Sequence, residues 1–474
     1  MCFFNVKLFK VDKDYRILQL GEIHMKKSID LTEGNIASTL TKLALPIMGT
    51  SFIQMMYNLT DMMWLGRLST KAVAGAGTVG FFMWFGMSLV LISQIGVSVG
   101  VSQAYGRGDM EDARQYISNG MQLDIFIGII YSIFLVGFKN QVIGFFNLGD
   151  VETINLAKDY LVIVSLGFIF HFINPIFSAI FNASGNSLTP FRINSIGLLT
   201  NMILDPLLIF GVGPFPVMGI KGAAIATVIA QIVVTSIYIV ISRSNKILFS
   251  HLKFFKTPKK DYIEKIIKLG FPAFLQSGTH ATISMVLTKI LAQWGPTPVA
   301  VQSVGSQIES ISWMTAEGFS TAISAFVGQN YGARNYHRVE EGYYKGLKIV
   351  GIIGVFATVL LIFGGEPIFR IFTPGDMLAI EQGKIYLRIL GFSQFFITIE
   401  IASAGAFNGL GKTSIPAIIG IVFNALRIPA SLVLSATVLG MLGVWWSMSI
   451  STIFKGIILT ALFFYVIKKG LHKK

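Results

Sequence analysis

The sequence is poor in charged residues and in cysteine, and both shortages restrict the class of protein. Only 13% of its 474 residues are charged, which is about half the usual share of a soluble domain. The single cysteine, Cys2, excludes an internal disulfide and a metal cluster held by cysteines. No GxxxxGK[ST], GxSxG or HExxH motif occurs, and the six histidines lack a paired metal-ligand spacing. We therefore expect no enzyme, no cofactor and no nucleotide-binding site.

Apolar residues, in contrast, are abundant and stand in long blocks. They make up 53% of the chain, whose mean hydropathy is +0.66. A helix needs about 20 mainly apolar residues to cross a bilayer, and a block that is apolar on all sides suits lipid or deep burial. The pattern predicts an all-α integral membrane protein with twelve transmembrane helices, near residues 38–65, 72–104, 116–138, 156–182, 188–212, 219–242, 262–293, 298–330, 342–364, 382–408, 414–438 and 441–467.

The net charge of +14 is distributed in a way that argues against nucleic acid as a partner. Basic residues collect in alternate loops and at both ends, whereas the opposite loops at Gly149-Asp150 and Gly375-Asp376 are near neutral. Because basic loops stay on the cytoplasmic side of a membrane, both termini are expected there, with weak attraction to anionic membrane lipid. Residues 1–24 lack the features of a signal peptide and precede Met25. We predict that they are a disordered tail or a mis-called start.

The sequence also repeats itself at a constant offset in residue number. Leu45-Pro46 recurs as Phe271-Pro272, and Tyr105-Gly106 recurs as Tyr331-Gly332, both at an offset of 226. The other landmarks at this offset are Gly149-Asp150 with Gly375-Asp376, Tyr160-Leu161 with Tyr386-Leu387, Phe181–Gly185 with Phe407–Gly411, and Pro190 with Pro416. A constant offset across so many landmarks indicates an internal duplication.

Each half holds six spans, so both halves have the same topology in the membrane. We predict an N-lobe at residues 25–242, a basic cytoplasmic linker at 243–262 and a C-lobe at 263–474, as two parallel, pseudo-symmetric six-helix bundles. Facing bundles can give alternating access by rocking, which favours a secondary transporter. Pro46 and its mate Pro272 lie inside spans, where a proline removes a backbone hydrogen bond, and are the best hinge candidates.

Acidic residues at membrane depth are costly and usually functional. Asp61 lies in the first span, and Asn201 and Asp205 lie one turn apart in the fifth, on one helix face. With a nearby hydroxyl such as Thr227, these oxygens suit Na⁺ or a proton. The alternative is structural: Asp61 caps a turn near the outer interface, and the other two side chains tie helices together.

The second half offers different polar residues. Glu400 in the tenth span is its best acid, and Glu309 lies in the eighth. Lys289 in the seventh span is unexpected at this depth and is a candidate partner for Glu400. Carboxylates that face a cleft would attract organic cations, and aromatic rings can stack on planar ones. The cleft is therefore expected to be anionic.

Several short motifs occur together in this chain: Pro46 with Tyr57–Gly66, Gln103–Gly106 with its mate Gln329–Gly332, Asn201-x-x-x-Asp205-Pro206, and Phe407–Thr413. Through this combination the chain, from about residue 30 to its end, resembles the multidrug and toxic compound extrusion (MATE) family. The resemblance implies an antiporter in the cytoplasmic membrane of a prokaryote that exports amphipathic, often cationic, compounds such as drugs in exchange for H⁺ or Na⁺. The family's ion site carries over onto Asp61, Asn201, Asp205 and Thr227, and its bending proline onto Pro46.

The chain departs from a second branch of the family, which has an acid in the seventh helix and an aspartate in the tenth. Here the seventh span offers Gln276 and His280, and Glu400 does not align with that aspartate. The resemblance therefore favours the ion site of the first lobe and leaves Gln276, His280, Glu309 and Glu400 as cleft residues. We expect a monomer. The alternative function is a flippase for a lipid or lipid-linked precursor, which would need a cationic cleft.

Overall fold

A computed structural model describes residues 28–249 and 257–471. The predictions for residues 1–24, Cys2 and part of the linker fall outside these ranges. The described chain is a succession of long helices, which we group into twelve units: α1 Ile36–Leu68, α2 Thr70–Gly106, α3 Met110–Gly137, α4 Val151–Leu166 with Phe168–Ala183, α5 Leu188–Phe210, α6 Ile220–Ser244, α7 Lys260–Leu291, α8 Pro296–Gly332, α9 Tyr336–Phe372, α10 Met377–Gly409, α11 Ser414–Ala425 with Arg427–Ser435, and α12 Leu442–Lys469. Short helices at Lys139–Gly144 and Lys246–Phe249, and a 3₁₀ turn at Ala292–Trp294, lie between them.

Each predicted span corresponds to one of these units, with ends that differ by a few residues and, in helices such as α3 and α9, a start several residues before the apolar block. Within the two described ranges, nine helices are long and apolar enough to cross a membrane, counting Ser414–Ser435 as one, and the bent pair of α4 is a tenth. α7 and α8 fall below that hydropathy because polar side chains such as Gln276, His280 and Glu309 interrupt them. Their polarity suits helices that face the protein interior rather than lipid.

Two of the spans are broken, and each break has a local cause. α4 bends by 51° at Gly167, where a Cβ atom would lie 2.5 Å from a methyl carbon of Val228 on α6. α11 is interrupted at Leu426, between its two helices. Pro429, just after this break, has no N–H to donate to the carbonyl of Ala425. A glycine contact and a proline thus account for the two irregular spans.

The starts of helices follow the repeat. Asp109 caps α3, and Asn335, its mate at the offset of the repeat, caps α9. Asp150 and its mate Asp376 cap α4 and α10 in the same way. In each case the side-chain oxygen accepts from a backbone N–H three residues ahead, which satisfies a donor left free at a helix start. The hydroxyl and amide of Thr153, together with Lys71, lower the pKa of the Asp150 carboxyl to about 2.

The two bundles meet on the side of the α2–α3, α6–α7 and α8–α9 connections, which we call the basic side. α2 packs against α7, and both α1 and α2 pack against α8. Gly270 of α7 lies directly on α2, because a Cβ atom there would be 1.9 Å from the carbonyl oxygen of Ile92. The contact reaches inward as far as the hydroxyls of Ser88 and Ser277, which are 2.9 Å apart. Beyond it, the outer half of α1 has exposed side chains, among them Met62 and Met63 at 41% and 47%.

Two hydrogen bonds related by the repeat join the bundles at the basic side. Gln103 Nε2 donates to the carbonyl oxygen of Gly409 at 2.9 Å, and Gln329 Nε2 donates to that of Ala183 at 2.7 Å. Gln103 with Gln329, and Ala183 with Gly409, are mates at the offset of the repeat. We call this pair of hydrogen bonds the glutamine latch.

The latch depends on two glycines that are also repeat mates. A Cβ atom on Gly106 would lie 1.9 Å from the carbonyl oxygen of Gln329, and one on Gly332 would lie 2.1 Å from that of Gln103. Only glycine lets the two helix ends approach this closely. The same local arrangement has therefore been kept in both halves of the duplicated chain.

Candidate functional site

The four side chains predicted to form one site meet inside the N-terminal bundle. The Thr227 hydroxyl of α6 donates to Asp61 Oδ2 of α1 at 3.3 Å, across 166 positions of sequence. Asn201 Nδ2 donates to Asp205 Oδ1 at 3.2 Å within α5, and both residues neighbour the Asp61 carboxyl. Asn201 and Asp205 have no exposed surface, and Thr227 is 3% exposed. The structure therefore places these residues together, away from bulk water.

Close packing of α5 and α6 positions Thr227 at this site. Gly222 lies where the two helices touch, and a Cβ atom there would be 2.4 Å from the carbonyl oxygen of Leu208. The alanines that follow, Ala223, Ala224 and Ala226, are completely buried. Small residues let helices approach closely in a membrane protein. The short stretch before Thr227 thus brings its hydroxyl up to α1 and α5.

Three oxygens of this site have no hydrogen-bond donor among the described residues. They are Asp61 Oδ1, Asn201 Oδ1 and Asp205 Oδ2, and all three are buried. A buried polar atom without a partner is costly. Carboxylate and amide oxygens are ligands that suit a hard cation such as Na⁺, and a proton on either carboxyl would itself supply a donor. The donor set fits either ion.

Two tyrosines complete the walls of the site, and the sequence analysis did not single them out. Tyr57, one turn before Asp61, is 7% exposed and donates to the carbonyl oxygen of Thr227 at 3.4 Å. Tyr160 of α4 is 4% exposed and neighbours both aspartates. Both could have been found from sequence. Tyr57 lies four residues before Asp61, which is the spacing that placed Asn201 and Asp205 on one helix face, and Tyr160 is a landmark of the repeat.

The polar residues of the second half form a separate group inside the C-terminal bundle, which we call the C-bundle cluster. Glu400 Oε1 lies 2.9 Å from Lys455 Nζ of α12, with side chains 11% and 8% exposed. The prediction from sequence that Lys289 pairs with Glu400 is wrong. Within residues 28–249 and 257–471 Lys289 makes no ion pair, and Glu400 is paired instead with Lys455 of the neighbouring α12.

The other predicted cleft residues lie in or beside the same cluster. Glu309 Oε2 accepts from Gln394 Nε2 at 3.0 Å. His280 is exposed, yet the charges of Arg427 and Lys455 act on its ring. Gln276 packs against Gly420 of α11, where an added Cβ atom would lie 2.5 Å from Gln276 Nε2. Gln276, His280, Glu309 and Glu400 thus come from α7, α8 and α10 to one part of the C-terminal bundle.

Arg427 is the member of this cluster that the sequence analysis missed. It is 6% exposed, and its guanidinium donates from Nε to Ser451 Oγ at 2.7 Å and from Nη2 to Thr452 Oγ1 at 2.9 Å. It lies in a stretch where the register of the repeat slips by a few residues, so that Asn201…Pro206 matches Asn424…Pro429 and the repeat does not single out Arg427.

The two hinge candidates occupy equivalent places in their helices. Pro46 lies inside α1 and Pro272 inside α7, and both helices continue through the proline. The Thr50 hydroxyl donates to the carbonyl oxygen of Pro46 at 3.0 Å. A proline leaves the carbonyl four residues earlier without its helical donor, so each helix has a weakened point in its basic-side half.

A family model described as MatE matches this chain twice, at residues 46–207 and 272–433. The second match is shifted from the first, at its start and at its end, by the offset of the sequence repeat. A curated relative from Thermotoga maritima, "Probable multidrug resistance protein NorM", is 31% identical over 89% of this chain and 90% of its own length. The "FAD transporter" of Shewanella oneidensis is 25% identical over 91% of this chain and 95% of its own.

The fold also matches solved structures. One described as "Outward-facing conformation of a multidrug resistance MATE family transporter of the MOP superfamily" gives a TM-score of 0.86 at 20% identity, over 95% of this chain and 100% of the other. This match confirms the predicted fold class, an all-α membrane protein with twelve transmembrane helices in two bundles.

Proposed function

The chain belongs to the MatE family of efflux transporters, and from this premise we propose that it is a secondary active antiporter. It exports small amphipathic, cationic organic compounds in exchange for H⁺ or Na⁺ by alternating access. The observation that carries the proposal is the set of three buried, unpartnered oxygens on Asp61, Asn201 and Asp205. The relative named as a probable multidrug resistance protein supports small organic substrates.

Charge at this site gives a physical reason for exchange. With both carboxyls ionised, the N-terminal bundle holds two buried negative charges that attract an organic cation. Binding of H⁺ or Na⁺ at Asp61 and Asp205 removes part of that attraction. Ion and substrate then oppose each other's binding, and such opposition is reciprocal. A protein that carries either the ion or the substrate each time it changes the side of the membrane to which it is open exchanges the two.

The proposal includes an orientation. Basic loops mark the cytoplasmic side, so the basic side, with both termini, faces the cytoplasm of a prokaryote and the protein lies in its inner membrane. Contact between the bundles on that side makes this an outward-facing state. The lobes are residues 25–242 and 263–474, joined by the linker 243–262, and the chain acts as a monomer. Pro46 and Pro272 are the points at which α1 and α7 bend as the bundles rock.

The test is transport by Asp205→Asn in reconstituted vesicles, with H⁺ and Na⁺ gradients imposed separately and a fluorescent organic cation as substrate. The amide keeps the shape of the carboxylate but can neither take a proton at neutral pH nor offer a charge to Na⁺. We expect gradient-driven exchange to fall at least about tenfold, which corresponds to about 1.4 kcal/mol of lost coupling. The gradient that drives the wild type identifies the ion.

A matched control is Asp124→Asn. Asp124 of α3 is also completely buried, and its Oδ2 has no hydrogen-bond donor among the described residues, but its Oδ1 accepts from Ser93 Oγ at 2.7 Å and it lies outside the site. An asparagine can still accept that hydrogen bond, so exchange should stay near the wild-type rate. If Asp205→Asn exchanged the cation against either gradient at the wild-type rate, the proposal would be wrong.

A second candidate function is movement of an anionic or lipid-linked compound. It is favoured by the buried cations Arg427 and Lys455 in the second half and by the relative named FAD transporter. The anionic site in the first half argues that organic cations are the principal substrates. Vesicles that moved a labelled anionic lipid, but no organic cation, would reverse this order.

A further inference from the structure

We infer that a groove on the outer surface of the C-terminal bundle binds an acidic phospholipid, with one acyl chain along α9 and the phosphate group at Lys348. The groove lies between α9, α10 and α12, and we call it the α9 groove. None of the residues described for the ion site or the C-bundle cluster lines it. The inference does not depend on which compound the protein transports.

The α9 groove exists because α9 lacks a side chain at the point where it passes α10. At Gly354 the two helices touch, since a Cβ atom there would lie 2.2 Å from Thr398 Oγ1. At Gly351, one turn toward the basic side, a Cβ atom would lie 3.4 Å from the Phe395 ring, and Thr460 of α12 forms the far wall. The groove has a volume of about 590 Å³, which is within the range of sites that hold a small ligand, about 300–1,000 Å³.

The α9 groove opens toward lipid and has the length of one leaflet. Ile352 and Val355, which line it, are 62% and 51% exposed, and the neighbouring Phe356 is 67% exposed. Exposed apolar side chains on a membrane-spanning helix face the acyl chains of the bilayer. From Tyr344 to Val355 the backbone of α9 rises about 17 Å, and half of the hydrocarbon core is about 15 Å thick. The groove therefore matches the length of an acyl chain.

Lys348 gives the groove a positive charge without an acidic partner. It is exposed, and among the described residues that line the groove none is acidic. Lys345, one turn earlier, is paired with Glu341 at 2.6 Å, whereas Lys348 has no ion pair within residues 28–249 and 257–471. Helical side chains lean toward the N-terminus of their helix, and α9 begins on the basic side. The ammonium group is therefore directed from the groove toward the membrane surface.

The basic-side end of the groove suits a lipid head group. Tyr344 lines this end, is 47% exposed and stacks on Phe464 of α12, with ring centroids 5.4 Å apart. Tyrosine is enriched at the membrane–water interface, and a lysine there keeps its stem in apolar surroundings while its amine reaches polar ones. A phosphate group accepts from the Lys348 ammonium, and the Tyr344 hydroxyl is a second donor. An acidic lipid fits better than a zwitterionic one, because the ammonium of a zwitterionic lipid competes with Lys348 for the phosphate.

The experiment measures lipid binding to the purified, delipidated full-length protein by native mass spectrometry. The probes are phosphatidylglycerol, which is acidic, and phosphatidylethanolamine, which is zwitterionic, with identical acyl chains. We expect the wild type to bind phosphatidylglycerol more tightly, and Lys348→Gln to weaken that lipid about fivefold and remove most of the preference. A fivefold change in Kd corresponds to about 1 kcal/mol, the contribution of a basic residue near an acidic membrane surface.

Matched variants separate the head-group contact from the groove itself. Lys42→Gln removes an exposed lysine from the basic-side half of α1, so it lowers the net charge equally and should keep the wild-type preference. Val355→Trp fills the groove from its lipid-facing edge and should weaken phosphatidylglycerol. Phe356→Trp places the same side chain at the next, more exposed position outside the groove and should have no effect. Because both positions face lipid, neither variant should lower the thermal midpoint.

Two further results distinguish one bound lipid from a free anion. Combining Lys348→Gln with Val355→Trp should weaken phosphatidylglycerol by less than the sum of the single effects, because head group and chain belong to one molecule. Inorganic phosphate at about 10 mM should not displace the lipid, since it cannot fill the groove.

The inference is overturned if the wild type does not prefer phosphatidylglycerol, if Lys348→Gln keeps that preference, or if Lys42→Gln removes it. It is also overturned if Val355→Trp binds the lipid like the wild type, or if the two single effects add in full, which would assign them to separate lipids. Displacement by phosphate would overturn it as well, because the site would then take a free anion.

Discussion

Asp61, Asn201, Asp205 and Thr227 were accessible to sequence reasoning because each places an oxygen in an otherwise apolar block, and because one family pattern connects them. The positions of Arg427 and Lys455 were not accessible to sequence reasoning. A basic residue in an apolar block does not reveal which helix faces it, and long basic side chains usually reach toward the interface. Only the fold shows that both are buried, and that Lys455, rather than Lys289, pairs with Glu400.

The Lys455–Glu400 pair leads to a stability prediction. Lys455→Met leaves the Glu400 carboxylate buried without a partner, and should lower the free energy of unfolding by about 3–5 kcal/mol. Adding Glu400→Gln removes the orphaned charge and should restore most of the loss. Thermal unfolding of the purified single and double variants measures both effects.

Lys221→Met serves as the matched control, because Lys221 pairs with Asp159 at 3.2 Å on the surface, with side chains 55% and 45% exposed. Exposed pairs contribute little to stability, so this variant should unfold at nearly the same temperature as the wild type. A double variant no more stable than Lys455→Met alone would show that the pair is held by packing rather than by charge.

At the scale of the helices, the blocks of apolar sequence were enough to locate all twelve helical units, including the more polar α7 and α8, but not the breaks within them. The bend at Gly167 depends on how closely Val228 of α6 approaches, and glycine is common in transmembrane helices whether or not they bend. The interruption at Leu426 is set by Pro429, yet Pro46 and Pro272 sit in helices that continue. A proline therefore marks a place where a break can form, and tertiary packing decides whether it does.

The contact of α7 with α2 can be tested through one glycine. Gly270→Ala would place a methyl group 1.9 Å from the Ile92 carbonyl oxygen, so the two helices must separate. Forcing an extra methyl into a packed interface costs about 1–3 kcal/mol, which shifts the equilibrium away from this closed contact roughly 5-fold or more. Neither bundle's interior is changed by the substitution.

Cysteine labelling measures this shift, since Cys2 is the only native cysteine. A Ser88→Cys probe in a Cys2→Ser background lies at the inner end of the contact, and an impermeant maleimide added from the basic side should react faster when Gly270→Ala is present. Gly278→Ala on the same helix, where a Cβ atom meets nothing within 4 Å, is the control. Equal labelling of the two variants would contradict the predicted separation.

For the whole molecule, the duplication could be inferred from sequence, because one offset relates six landmark pairs of the two halves before the register slips by a few residues. The contact that closes the two bundles at the basic side could not be inferred from sequence. A transporter has the same sequence in each of its conformations, and the residues that meet across the bundles, such as Gln103 and Gly409, are separated by 306 positions. Their pairing depends on the relative position of two rigid units rather than on local propensity.

The symmetry of the glutamine latch predicts equal effects from its two halves. Gln103→Met and Gln329→Met each remove one hydrogen bond at nearly constant volume, and each should weaken basic-side closure by about 0.5–1.5 kcal/mol. The double variant should show about the sum of the two. The Ser88→Cys labelling rate from the basic side reports all three.

Gln115→Met is the control here, because among the described residues the Gln115 side chain bonds within its own helix end, to Glu111 at 2.7 Å, and not across the bundles. A large effect of one latch substitution with none from the other would mean that the two hydrogen bonds are not equivalent, despite their common origin.

The placement of the latch also has a mechanical consequence. Its two hydrogen bonds lie on opposite sides of the pseudo-twofold axis, and each bundle supplies the donor of one and the acceptor of the other. Twisting one bundle about that axis would shear both bonds in the same rotational sense, so together they resist torque, whereas a tilt that peels the bundles apart stretches them one after the other. The latch thus adds resistance to rotation, of about 0.5–1.5 kcal/mol for each bond, and leaves rocking as the softer direction of motion.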